Sequence, residues 1–332
     1  MKKILVIGTG GTIASAPTEN GLAPALSADA LLKAIPFAAS ICAVECMQAF
    51  SLDSTNVRPG HWLILAGIIK ENYETYDGFV ITHGTDTLAY TAAGLSYLIE
   101  NSGKPIVLTG AQKPMGEDIT DAKQNLIDAL IYASDDESRN ICVVFNGSVI
   151  AGTRARKNYS KNFAAFASVN FPCLAQIQDH RIIRYFPDTT DGEPRFYDYV
   201  DPNVGLVKLT PGMNNSLMRC ALDCYDGLVI ESFGVGGLPE YSDYFQQVKE
   251  AADKGKFIVM TTQVPNEGSD LSVYRVGAVV KDNLKTLEAH DMTSEAALAK
   301  LMWVLGQTND FDKAKELFYR RVHHDILCIE ES

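Results

Sequence analysis

"ILVIGTGGTIAS", residues 4–15, runs from an apolar stretch straight into Gly8, Gly10 and Gly11, with hydroxyl residues Thr9 and Thr12 on either side of the glycine pair. An unbroken apolar run that ends in glycine reads as a strand buried on both faces of a parallel sheet, turning sharply at its carboxyl end. Residues 3–7 are then the first strand of a series. Similar short runs recur at 43–50, 79–82, 106–109 and 141–145, separated by segments of helical period. That alternation specifies an α/β fold, a mostly parallel sheet flanked by helices. Within "TDAKQNLIDALIYAS" (120–134), Ala122, Leu126, Ile127, Leu130 and Ile131 share one helical face, and the Thr-Asp start can cap the helix.

The periodicity breaks at "FPDTTDGEPRFYDYVDPNVG", residues 186–205, where three prolines and two glycines interrupt any regular pattern. This divides the chain into a larger domain over 1–185, a linker over 186–205 and a smaller α/β domain over 206–332. Strands resume in the second part near 204–209, 227–231 and 257–261. With 332 residues, 46% of them hydrophobic, the chain is long enough for two cores.

The composition excludes several classes of function. A net charge of −12, from 29 basic and 41 acidic residues, repels phosphate backbones, and no dense Lys/Arg stripe offsets it, so nucleic acid is not a partner. No stretch approaches the roughly 18–20 apolar residues that span a bilayer, and the apolar run at 4–7 is too short for a signal sequence. The reading is a cytoplasmic protein without membrane contact. Seven cysteines, scattered among apolar neighbours, read as buried reduced thiols. Cys220 and Cys224 are spaced for one helix face, but no second pair or histidine completes a zinc set, so no metal is assigned. No cofactor is assigned either: G-x-G-x-x-G would need glycine at position 13, which is Ile13, and no P-loop is present.

In an open parallel sheet, ligands bind beyond the carboxyl ends of the strands. The residues following the five strands are "GTGGT" (8–12), "SLDST" (51–55), "HGTDT" (83–87), "GAQ" (110–112) and "NGSVIAGTRARK" (146–157). Each set combines hydroxyl, amide or charged groups with small residues, and in a parallel sheet all five converge on one edge. Thr12 can be a nucleophile or merely a helix cap. Thr85 and Asp86 can be a catalytic pair or the start of the following helix. Lys157, which no cap requires, can exchange a proton with Thr85, although "RARK" by itself also fits a solvated basic turn. Residues 15–26, with two prolines and a glycine, read as a flexible loop able to close over the site.

"TGGTIAS" (9–15) and "HGTDTLAYTA" (83–92) resemble the two signatures of the bacterial-type L-asparaginase and glutaminase-asparaginase family. The resemblance extends through "AFASVNFPCLAQI" (165–177) and the smaller C-terminal domain, and is nearest to the cytosolic type I branch. It implies that Thr12 attacks a side-chain amide to form an acyl-enzyme and that Thr85 and Lys157 relay protons. Asp86 would pair with the substrate's α-ammonium and Ser54 would bind its α-carboxylate beside Asp53, Thr55 and Gly84. Ala111 would approach the scissile amide. The implied reaction is hydrolysis of L-asparagine to L-aspartate and ammonia by a homodimer or homotetramer. A broad glutaminase-asparaginase, an ammonia-donating subunit and a non-catalytic amino-acid binder are the alternatives. Two positions depart from the family pattern. Leu22 stands near the place of a loop tyrosine, for which Tyr274 is the candidate substitute, and Gly237 stands where many relatives have asparagine.

Overall fold

The computed structural model describes residues 1–18 and 21–327 and divides the chain into two compact units, Met1–Asp198 and Tyr199–Ser332. In the first unit the strands are β1 Lys3–Gly10, β2 Ser15–Thr18, β3 Gly21–Pro24, β4 Ala43–Leu52, β5 Gly78–Thr82, β6 Ile99–Glu100 and β7 Ile106–Thr109. They continue with β8 Ile141–Phe145, β9 Ser148–Ala151, β10 Ala155–Lys157, β11 Phe166–Ser168, β12 Ala175–Gln178, β13 Arg181–Arg184 and β14 Arg195–Phe196.

Eight of these form one sheet in the order β13-β12-β9-β8-β7-β5-β1-β4. The five apolar runs singled out in the sequence become β1, β4, β5, β7 and β8, adjacent and mutually parallel. Ile4, Leu5, Val6 and Ile7 are at most 1% exposed, as a central parallel strand covered on both faces requires. β4 lies at the edge and carries Glu45 and Gln48, polar residues that suit an unpaired border. From β1 the chain continues to one side, to β4, and from β5 to the other, to β7. The boundary between β1 and β5 is therefore a topological switch point, where crevices open at the carboxyl edge.

Three segments gain local detail. Residues 146–157 are not one loop, because Asn146 (φ 50°) and Gly147 (φ 74°) make a tight turn and β9 returns antiparallel to β8. Two positive φ values at Asn-Gly are the signature of a type I′ hairpin. Within the 15–26 segment, β2 and β3 pair antiparallel. The 186–205 stretch contains β14, paired with β6. The helix Ala122–Ala133 forms as read and buries Ala122, Leu126 and Leu130, but Ile127 and Ile131 are only half-buried. Asn125 and Asp128 lie inside with the apolar residues.

The second unit has β15 Val204–Lys208, β16 Gly227–Ser232, β17 Phe257–Thr262 and β18 Thr286–Glu288, all parallel in that order. Helices Asn215–Cys224, Tyr244–Asp253 and Arg275–Asn283 close a core that includes Met218, Leu222, Ile230, Val248, Ile258 and Met260. Elsewhere in this unit Lys300 and Asp325, both fully buried, form an ion pair at 2.5 Å. Cys42 and Cys142 are buried as read, whereas Cys220 and Cys224 are exposed because their helix turns that face outward. Cys328 lies outside the described residues. Among the described residues no helix is long and apolar enough to cross a membrane.

Candidate active site

Glycines decide how closely the strand ends approach. Gly10 (φ 101°) and Gly11 (φ 76°) adopt conformations that L side chains rarely take. A Cβ on Gly10 would lie 2.5 Å from the Leu52 carbonyl oxygen, and one on Gly11 only 2.3 Å from the Gly84 nitrogen. A Cβ on Gly84 would meet Ser54 Oγ at 2.6 Å, and one on Gly110 would meet the His83 carbonyl at 2.3 Å. At Gly10, Gly11 and Gly110 backbone packs against backbone, and at Gly84 the missing side chain leaves room for that of Ser54.

Thr12 opens a short 3-10 turn, Thr12–Ala14, whose cap is Gly11 rather than Thr12, so the capping reading of this hydroxyl is not realised. Thr9, in β1, donates to the Thr82 carbonyl at 2.8 Å and ties β1 to β5. After β4, Asp53 accepts from Thr55 N at 2.9 Å and from Thr55 Oγ1 at 2.8 Å, which fixes the turn Ser54–Asn56. Ser54 is buried within that turn, while Asp53 and Thr55 are exposed. Thr87 Oγ1 donates to the Ser54 carbonyl at 2.7 Å, linking this turn to the next.

After β5, Thr85 is 5% exposed and Asp86 is exposed. Neither caps the helix Leu88–Leu98, which starts from Thr87 without a side-chain cap. Lys157 donates to Thr85 Oγ1 at 2.7 Å and to Asp86 Oδ1 at 2.6 Å, across more than 70 residues of sequence. It arrives on β10, whose partner β11 places Phe166 opposite it. The "RARK" segment is therefore not a solvated turn: Arg154 is fully buried and the Lys157 side chain is 18% exposed.

His83 bonds through Nδ1 to the Gly84 carbonyl at 2.8 Å and through Nε2 to Thr91 Oγ1 at 3.1 Å. Its complete burial pushes the imidazole down to about 4, only partly opposed by the Gly84 bond. The ring is thus neutral at pH 7 and serves to fix the backbone at Gly84. Ala111 is fully buried beside Gly110. Sequence reading passed over the side chains that hold this last segment, Gln112, Asp121 and Asn125. Asp121 accepts from Gln112 N at 2.9 Å and from Lys113 N at 3.1 Å, and Asn125 donates to the Gly110 carbonyl at 2.9 Å.

Two expected residues belong to the second unit. Tyr274 stands at the start of helix Arg275–Asn283 with 62% of its surface exposed. Gly237 has φ 105°, and a Cβ there would lie 2.9 Å from Gly277 N, so this backbone does not accept an asparagine.

The carboxyl edge of the first sheet thus gathers hydroxyls, a carboxylate and a lysine over tightly packed backbone. The arrangement suits nucleophilic attack by a hydroxyl, assisted by proton transfer through Thr85 and Lys157.

Comparison with known proteins accords with that chemistry. The family model "Asparaginase, N-terminal" matches residues 3–189, and "Glutaminase/Asparaginase C-terminal domain" matches residues 203–318. The chain is 40% identical to an L-asparaginase of Thermococcus kodakarensis, over 98% of this chain and 99% of that protein. The solved structure of the thermostable L-asparaginase from that organism superimposes with a TM-score of 0.92, covering 98% of this chain and 100% of the other. The chain is also 32% identical to L-asparaginase 1 of Escherichia coli K12, over 98% of each.

Proposed function

Because the chain belongs to the asparaginase family, as its matches to both family domains show, we propose that it is an L-asparagine amidohydrolase acting through a threonyl acyl-enzyme. The observation that carries this reading is Lys157 Nζ in contact with both Thr85 Oγ1 and Asp86 Oδ1, beside the Gly11–Thr12 turn at the switch point.

An asparagine substrate brings an α-ammonium, an α-carboxylate and the scissile amide as a fixed set. Asp86 receives the ammonium, Ser54 receives the carboxylate through its hydroxyl, in a turn that Asp53 shapes by accepting from Thr55 N and Oγ1, and Gly84 and Ala111 border the substrate through their backbone. Holding both charges leaves the amide carbon at a fixed distance from Thr12, which converts binding into orientation. Thr12 Oγ adds to that carbon, the C–N bond breaks, and ammonia departs with the proton that Thr12 surrenders. Water then cleaves the ester, releasing aspartate and restoring the Thr12 hydroxyl. A threonine hydroxyl is a weak nucleophile at neutral pH, so a base must take its proton during attack. Lys157, acting through Thr85, fills that role.

Tyr274 is proposed to replace the family's loop tyrosine, and a Tyr274→Phe variant with wild-type turnover would remove it from the mechanism. We further place the protein in the cytoplasm as a homodimer or homotetramer. Exposed Phe233, Tyr241, Val264, Val273 and Val279 in the second unit supply apolar surface for such assembly, and light scattering on the purified protein tests it.

The deciding experiment measures ammonia release from L-asparagine and L-glutamine over a concentration series. Turnover of asparagine is expected, with Thr12→Ala and Thr85→Ala inactive and Lys157→Met reduced about 10²–10⁴-fold in kcat. Full activity in Thr12→Ala would overturn the acyl-enzyme. Asparagine binding by calorimetry without ammonia release would make the protein an amino-acid binder instead.

A further inference from the structure

We infer that Thr87 is a positioning residue: it sets the spacing between Ser54 and Asp86, the groups that receive the substrate's α-carboxylate and α-ammonium. The inference rests on the function proposed above and deepens it, giving a role to the hydroxyl that ends the "HGTDT" stretch and takes no part in the chemistry of Thr12.

Thr87 is the residue from which the helix Leu88–Leu98 starts, a place where a threonine hydroxyl ordinarily accepts from a backbone N–H of the first helical turn. Here it makes no such bond. Its Oγ1 donates instead to the Ser54 carbonyl at 2.7 Å, 33 residues back in the chain, and because a carbonyl only accepts, the direction of this bond is settled. The helix start forgoes a side-chain cap, and the hydroxyl ties the turn after β5 to the turn after β4.

That tie reaches both receiving groups. Thr87 directly follows Asp86, so anchoring Thr87 anchors the backbone from which the Asp86 carboxylate extends. Ser54 is 3% exposed, and its hydroxyl lies against Gly84, where a Cβ would come within 2.6 Å of Ser54 Oγ. Ser54 thus meets the 83–87 segment twice, through its side chain at Gly84 and through its carbonyl at Thr87. The ammonium and carboxylate of an α-amino acid hang from one carbon, so their receivers must keep a fixed separation. If one turn slid past the other, the ligand would lose one contact or strain both.

The bond can be removed without leaving a buried group unpaired, because the Ser54 carbonyl also accepts from Val57 N at 3.0 Å within its own turn. Thr87→Val keeps the side-chain shape and deletes the hydroxyl, whereas Thr87→Ser keeps the hydroxyl. If spacing the two receivers is the role, Thr87→Val raises KM for L-asparagine about 5- to 10-fold with kcat changed less than about 3-fold, and Thr87→Ser stays within about 3-fold of wild type in both. The product L-aspartate carries the same two charges on its α-carbon, so its Kd by calorimetry should rise with KM in Thr87→Val and recover in Thr87→Ser. A merely structural role gives the opposite split, since a partly unfolded population lowers kcat through a smaller active fraction and leaves KM alone. That split, an unchanged KM or Kd in Thr87→Val, or a Thr87→Ser variant as weak as Thr87→Val, overturns the inference. Calorimetry with L-aspartate needs no turnover. A wild-type protein that binds aspartate but releases no ammonia would therefore overturn the proposed hydrolysis and leave the Thr87 comparison decisive, and one that binds neither amino acid would overturn both.

Discussion

Gly11 separates Thr12, the proposed nucleophile, from strand β1, and its backbone (φ 76°, ψ −179°) lies in a region open essentially to glycine alone. Such a conformation costs a side-chain-bearing residue about 1–3 kcal/mol before any clash is counted. Here the added Cβ would also sit 2.3 Å from Gly84 N, which cannot move without displacing Ser54. Gly11→Ala should therefore lose about 3 kcal/mol or more of stability by denaturant unfolding, and ammonia release should fall with it. A variant of wild-type stability would mean that the two segments are not in contact. Thr12, Thr85 and Asp86 stood out in the sequence as reactive or charged groups just after a recognisable apolar run, whereas Lys157, on the separate strand β10, stood out as a lysine that no cap requires. The sequence did not show what the glycines touch, since Gly11 and Gly84 are brought together by sheet order rather than by spacing. Gln112 was illegible for the same reason: its partners Tyr159 and Asn162 lie 47 and 50 residues further along the chain.

The strands at 3–10, 78–82, 106–109 and 141–145 were readable because burial on both faces leaves continuous apolar runs. The β8–β9 hairpin was not, although Asn146–Gly147 carried the turn signal, because its return strand is short and was absorbed into a loop. The helix Ala122–Ala133 was misjudged in a more instructive way. Periodicity counts apolar residues, so it passed over Asn125, which is fully inside and bonds Gly110 O and Asn146 N from one amide. Asn125→Ala would leave the buried Gly110 carbonyl unpaired, at a cost of roughly 1–3 kcal/mol, measurable by urea unfolding. In the helix Asn215–Cys224 it was the outward face that was misread. Cys220 and Cys224 are exposed with their sulfurs 4.0 Å apart, whereas Cys142 is fully buried and burial pushes the Cys42 thiol up to about 11. A thiol reagent applied to native protein should consume Cys220 and Cys224 first and reach Cys42 and Cys142 only on unfolding. Mass-spectrometric mapping of the labelled positions checks that order.

Two buried groups of the first unit tie its folding to pH with opposite signs. His83 is fully buried and held down to about 4, against about 6.5 in the unfolded chain. Between those values the unfolded state binds the extra proton, so His83 makes the fold less stable as pH falls from 6.5 toward 4. Asp128, 2% exposed in the helix Ala122–Ala133, is pushed up to about 6 by burial, against 3.8 in its ordinary state. The folded state now holds the extra proton, so Asp128 makes the fold less stable as pH rises from about 4 to about 6. Each effect amounts to roughly 3 kcal/mol at most, from shifts of about 2–2.5 units at about 1.4 kcal/mol per unit. As far as these two groups are concerned, they nearly cancel between pH 4 and 6, and the balance is exposed by removing either one. His83→Gln should leave the Asp128 slope, with stability declining from pH 4 to 6 relative to wild type. Asp128→Asn should leave the His83 slope, with stability declining from pH 6.5 to 4. Denaturant unfolding of the three proteins at half-unit pH steps measures both slopes. Parallel profiles for all three would show that neither group titrates differently in the folded and unfolded chains.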